Sequence, residues 1–144
     1  CYRLYRAHTK RFGGNVLMSI TSFNPKFPLI IVEGIIRRNA ERTLRLALDT
    51  GCSRTIIPFE TAEAIGCDPG GSRSRTRIVT GSGIEIVPVV SLNSIKALGK
   101  TIKNIEVACY NLPEEGFVDG LLGLDFLKNF KLKINFEKGI IWLF

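Results

Sequence analysis

The chain has 144 residues and a net charge of +7, from 20 Lys and Arg against 13 Asp and Glu. That length holds one domain with a real core, and no apolar run is long enough to span a membrane. The single histidine is His8, and none of the four cysteines (Cys1, Cys52, Cys67 and Cys109) stand in a Cys-x-x-Cys spacing. This argues against a zinc site and against Ser-His or Cys-His chemistry.

Residues 1–14 are basic and close on Gly13-Gly14. They read as a tail or linker ahead of a domain over 15–144. Residues 15–22 alternate apolar and polar, as a first strand would. Pro25 and Pro28 bracket a turn. Residues 29–37 and 43–48 are β-rich and flank a polar turn at 38–42, the pattern of a hairpin. Its second strand runs directly into Asp49. Residues 58–65 predict a short helix ended by Gly66, and 68–72 a loop rich in Gly and Pro.

Arg73, Arg75 and Arg77 alternate with Ser74, Thr76 and Ile78, which places the arginines on one strand face. That face looks either to solvent or toward a ligand. Gly81-Ser82-Gly83 turns the chain, and 84–90 returns. Residues 95–97 and 101–109 are two further strands joined at 98–100, and 111–116 is an acidic loop. Residues 130–136 and 140–144 form a last hairpin across 137–139. Many short strands and little helix predict an all-β fold, a small closed barrel. The apolar stretch 140–144 is an aggregation hazard unless its edges are paired.

The basic residues are scattered, with concentrations at 3–11, 37–45, 73–77 and 128–133. They carry no aromatic-interleaved motif and match no nucleic-acid module, so a solvated basic surface is expected rather than a nucleic-acid partner. No signal peptide is visible, and the cysteines read as free thiols, which favours a reducing, cytoplasmic setting. A chain that begins on Cys1 is also compatible with a fragment or processed domain.

Asp49 stands out. It follows the apolar Leu46-Ala47-Leu48 and opens the turn Thr50-Gly51, and Asp-Thr-Gly occurs once. A carboxylate at the end of a buried strand is costly unless it is hydrogen-bonded or used for chemistry. Gly51 permits a tight turn and close approach, and the Thr50 hydroxyl can donate and accept. Alone, the triplet reads equally as a turn aspartate that accepts nearby backbone N–H groups.

Downstream lies Val118-Asp119-Gly120-Leu121-Leu122-Gly123-Leu124-Asp125-Phe126-Leu127. Together with the strand ending in Asp49-Thr50-Gly51, this segment resembles the retropepsin-like aspartic proteases over residues 27–144, cellular members more than retroviral ones. The resemblance implies the small barrel with one or two short helices. It implies Asp49 as the catalytic carboxylate, with Thr50 and Gly51 bracing its loop and the Thr50 hydroxyl bonding across a dimer interface. Leu121, Leu122 and Gly123 would pack behind the loop, before a short helix at 125–129. Residues 75–87 would form a flap, and Ser53, Thr80, Gly81, Ser82 and Gly83 would contact a polypeptide substrate. Terminal strands would interleave between subunits.

This chain departs from the viral pattern at three places. Cys52 follows the triplet where alanine is frequent. Ser53, Arg54 and Thr55 stand where viral members carry an acidic residue, and Leu124-Asp125 replaces Arg-Asn. One motif supplies one carboxylate while the chemistry needs two, so a twofold homodimer is expected. Two adjacent carboxylates share one proton, a coupling for which aspartic proteases are the standing example. No metal or cofactor is required. The alternative is a dimeric binding or scaffold domain that keeps this fold without turnover.

Overall fold

The computed structural model describes residues 7–12 and 16–144. In chain order the strands are β1 His8–Phe12, β2 Val16–Ser22, β3 Ile31–Arg37, β4 Glu41–Leu48, β5 Ile56–Ile57, β6 Arg75–Thr80, β7 Gly83–Ala97, β8 Lys100–Cys109, β9 Gly120–Leu122, β10 Leu132–Asn135 and β11 Ile140–Leu143. Two short helices interrupt them, α1 Phe59–Ala64 and α2 Leu124–Leu127, with a 3-10 turn at Glu114–Gly116.

Strands β3, β4, β9, β5, β8 and β7 are hydrogen-bonded in that order, and β3 pairs back onto β7. The result is a closed six-stranded barrel, as the short-strand pattern predicts. Alternation sets its interior. Val32 and Ile36 of β3 and Leu44 and Leu46 of β4 point inward, where they meet Ile95, Val107, Leu122 and Phe126. Beyond the barrel, β6 extends the sheet from β7.

The β3–β4 hairpin runs from Ile31↔Ala47 to Arg37↔Glu41, so the turn is 38–40, shorter than the expected 38–42 because Glu41 and Arg42 pair with Arg37 and Ile36. The helix expected at 58–65 is α1, and the last hairpin is β10–β11. Residues 84–90 and 95–97 are not separate strands. They belong to one continuous β7, because Ser91 and Asn93 are exposed while Leu92 is buried, which extends the alternation through the polar stretch. The first part of β7 pairs with β6, and its second part pairs with β8 and β3.

The second sheet has the order β1-β2-β11-β10. One expectation changes here. Residues 8–12, read as tail, form β1 and pair with β2; residues 1–6 and 13–14 of that segment lie outside the described residues. Strand β11 is flanked on both sides by its own chain, β2 and β10. Ile141 and Leu143 are buried in the main core. In the single chain the backbone of β11 is therefore paired on both sides, which removes the edge hazard of 140–144 without a second subunit.

Candidate active site

Strand β4 delivers Asp49. It runs parallel to β9, with Leu46↔Gly120, Ala47↔Leu121 and Leu48↔Leu122 in register. Past the last strand pair, the Asp49 amide donates to the Leu122 carbonyl at 3.0 Å. The chain then turns: the Gly51 amide donates to Asp49 Oδ1 at 2.8 Å, and the Cys52 amide to the Asp49 carbonyl at 3.3 Å. Asp49 is half-buried. Among the described residues its Oδ2 takes no hydrogen bond from protein. The turn bond expected of a structural aspartate is present, and it leaves one carboxylate oxygen open.

The segment after β9 is laced to the loop after Asp49. Leu124 and Asp125 donate their amides to the carbonyls of Cys52 and Ser53, at 2.8 and 3.2 Å. The Thr55 hydroxyl donates to Asp125 Oδ1 at 2.7 Å and accepts the Gly123 amide at 3.1 Å. Gly123 is required by this approach, since a Cβ there would lie 2.8 Å from the Cys52 oxygen and from the Arg54 carbonyl carbon. Leu122 is fully buried in the main core. Leu121 is half-buried and packs with Ile56 in a smaller cluster. The structure thus places Leu121, Leu122 and Gly123 directly behind the Asp49 loop.

A cleft of about 490 Å³ opens above Asp49. Gly51, Cys52 and Ser53 border it from the loop, and Thr80, Gly81 and Ser82 from the β6–β7 hairpin. Gly83, also expected at the site, is exposed and does not line this cleft. The Thr50 hydroxyl is directed to no described partner, and Thr50 is exposed. The hairpin is fastened by Ile78 and Val87, which pack with Ile56 and Ala108, and by Tyr110, whose hydroxyl donates to Glu85 at 3.2 Å.

Arg75↔Pro88, Arg77↔Ile86 and Val79↔Ile84 share the face opposite Ile78. Arg73, Arg75 and Arg77 are all exposed, and only Arg77 also borders the cleft.

Burial pushes up the Cys52 thiol, a backbone hydrogen bond from Arg54 opposes this, and the neighbouring Asp49 and Asp125 carboxylates add to the rise; the thiol itself donates to the Arg54 carbonyl at 2.9 Å. Cys52 is therefore a neutral thiol at the cleft wall, not a thiolate nucleophile. Among the described residues no group of three or more His, Cys, Asp or Glu could hold a metal ion. Among the described residues no helix is long and apolar enough to cross a membrane.

Sequence reasoning gave no role to Thr55, Arg54, Tyr110 or the Asp125 side chain. Thr55 and Asp125 are 70 residues apart, and no local spacing announces such a pair. Arg54 did carry a signal, as a cation where viral relatives are acidic.

The closed barrel and its two short helices define a retropepsin-like aspartic protease fold. The profile of the family described as "gag-polyprotein putative aspartyl protease" matches residues 36–129, from the end of β3 to just past α2. The chain belongs to that family. Among solved structures, a retropepsin-like aspartic protease from Rickettsia conorii superposes with a TM-score of 0.66 at 22% identity, over 99% of this chain and 96% of that one. The retroviral protease-like domain of Ddi1 from Leishmania major does so with a TM-score of 0.51 at 20% identity, over 78% and 85%. At such identities the likeness is one of fold. No curated protein sequence matches the chain.

Proposed function

We propose that the chain is an aspartic endopeptidase that works as a homodimer, with Asp49 of each subunit at the shared site. The observation that carries this reading is the Asp49 carboxylate, which lines the cleft, is held at one oxygen by the Gly51 amide and takes no bond at the other among the described residues. One Asp49, ionised, takes a proton from a water as it attacks the scissile carbonyl. The second, protonated, donates a hydrogen bond to the carbonyl oxygen and stabilises the charge that develops there. The two roles exchange by proton sharing between the carboxylates, with no covalent intermediate. Thr50 and Gly51 brace the loop, and the exposed Thr50 hydroxyl is free to bond across the twofold axis.

The β6–β7 hairpin acts as the flap over a polypeptide, with Thr80, Gly81, Ser82 and Gly83 at its tip and Ser53 on the opposite wall. The test is to incubate the protein and its Asp49→Asn variant with diverse peptides from acid to neutral pH. Cleavage by the first alone supports the reading. Binding by both without cleavage favours a scaffold domain instead.

A further inference from the structure

A second cavity of about 900 Å³ lies beside the cleft. Ser53 and Arg54 line both, so they form the sill between the two. The charged residues lining the cleft are Asp49, Arg54 and Arg77, two cations and one carboxylate. On the sill, Arg54 Nη1 stands 3.5 Å from Glu106 Oε2 and 3.5 Å from the Glu106 carbonyl oxygen. The Arg54 side chain is 33% exposed and that of Glu106 58%.

An ion pair that long and that solvated is weak. A guanidinium in a partly desolvated wall forms paired, charge-assisted hydrogen bonds with a better-placed carboxylate. Asp125, which also lines the larger cavity, is engaged by the Thr55 hydroxyl and amide, and among the described residues the ion pair of Arg54 is with Glu106.

We propose that Arg54 determines specificity: it takes an Asp or Glu side chain of the bound polypeptide where the peptide crosses the sill from the cleft into the larger cavity. Glu106 occupies the guanidinium in the free protein and is displaced by the incoming carboxylate. This rests on the endopeptidase reading for what the cleft binds. It extends that reading to acidic polypeptides, toward which the net charge of +7 also acts.

The test separates binding from cleavage. Fluorescence anisotropy on Asp49→Asn protein reads the affinity of two labelled peptides with the same apolar centre, one flanked by Glu and the other by Gln. The Glu peptide is expected to bind about 10-fold tighter, the scale of one charge-assisted contact. Adding Arg54→Gln should bring that ratio near unity. Adding Glu106→Gln instead should raise it above the parent's, since the guanidinium loses its competitor. Both side chains are partly exposed, so neither change is expected to disturb the fold.

No binding, no preference for the Glu peptide, or a preference that survives Arg54→Gln overturns the proposal. Cleavage is scored separately on the unmutated chain. Preferential binding with no cleavage sinks the endopeptidase reading while upholding Arg54 as a carboxylate-binding residue.

Discussion

The Asp125 carboxylate takes both polar groups of Thr55: the hydroxyl donates to Oδ1 at 2.7 Å and the amide to Oδ2 at 2.9 Å. Thr55 is fully buried. Its hydroxyl oxygen also accepts the Gly123 amide, so one side chain ties the strand after Asp49 to the turn before α2. Asp125 Oδ1 then accepts the Phe126 amide at 2.9 Å, which satisfies a donor at the start of that helix.

Thr55→Val should therefore cost about 1–3 kcal/mol, because it leaves a buried Gly123 N–H and an Asp125 oxygen short of partners. Thr55→Ser keeps the hydroxyl and should lose much less. Urea unfolding of the two variants measures the difference. Equal stability of Val and Ser variants would show that the hydroxyl network contributes nothing.

Asp49→Asn should abolish peptide cleavage and leave the melting temperature within about 2 °C, since the amide nearly keeps the shape and can still accept the Gly51 N–H. Mixed with the unmutated chain, it should depress activity beyond simple dilution by forming heterodimers. Specific activity should also fall as the protein is diluted through its dimer dissociation constant. A monomeric species with constant specific activity would contradict the shared site.

Removing residues 140–144 should unfold the protein rather than merely split a dimer. Strand β11 sits between β2 and β10, and Ile141 and Leu143 belong to the main core. Loss of these two side chains alone is worth several kcal/mol, at about 2–5 each for an aliphatic core truncation. Circular dichroism and a denaturant titration check this. A truncated chain that still unfolds cooperatively at the original midpoint would refute the placement of β11.

Burial lifts the Cys109 thiol from 9.0 to about 12, with smaller contributions from Cys67 and Glu63. The folded chain thus keeps a proton that the unfolded chain releases near pH 9. The associated stability is whole below that pH and is lost as pH climbs toward about 12. Cys109→Ala should flatten this alkaline decline, measured as unfolding free energy against pH. An identical slope in both proteins would remove Cys109 as its source.

Much of the local structure was legible from the chain. The apolar run before Asp49 and the polar turn at 38–42 specify the β3–β4 hairpin, and both signals are short-range. The same holds for the Gly81-Ser82-Gly83 turn and for α1. The Leu121-Leu122-Gly123 segment, read with Asp49-Thr50-Gly51, pointed to the right fold because these two pieces must meet. In the structure they do so through the parallel pairing of β4 with β9.

The sequence alone therefore determined the strand faces, the turns and the position of Asp49 at a strand end, because periodicity and turn chemistry act over a few residues. Only the tertiary structure decided what depends on distant segments. It left Arg73, Arg75 and Arg77 exposed, with Arg77 of the three also bordering the cleft, since Ile78 and Val87 take the opposite face to cover Ile56 and Ala108. It carried β7 unbroken through Ser91 and Asn93, because β8 and β3 supply partners for its second half. It placed β11 between β2 and β10, and it brought Thr55 to Asp125 and Arg54 to Glu106. Contacts across 52 and 70 residues leave no spacing in the chain to read. They exist because closing the barrel fixes which segments lie side by side.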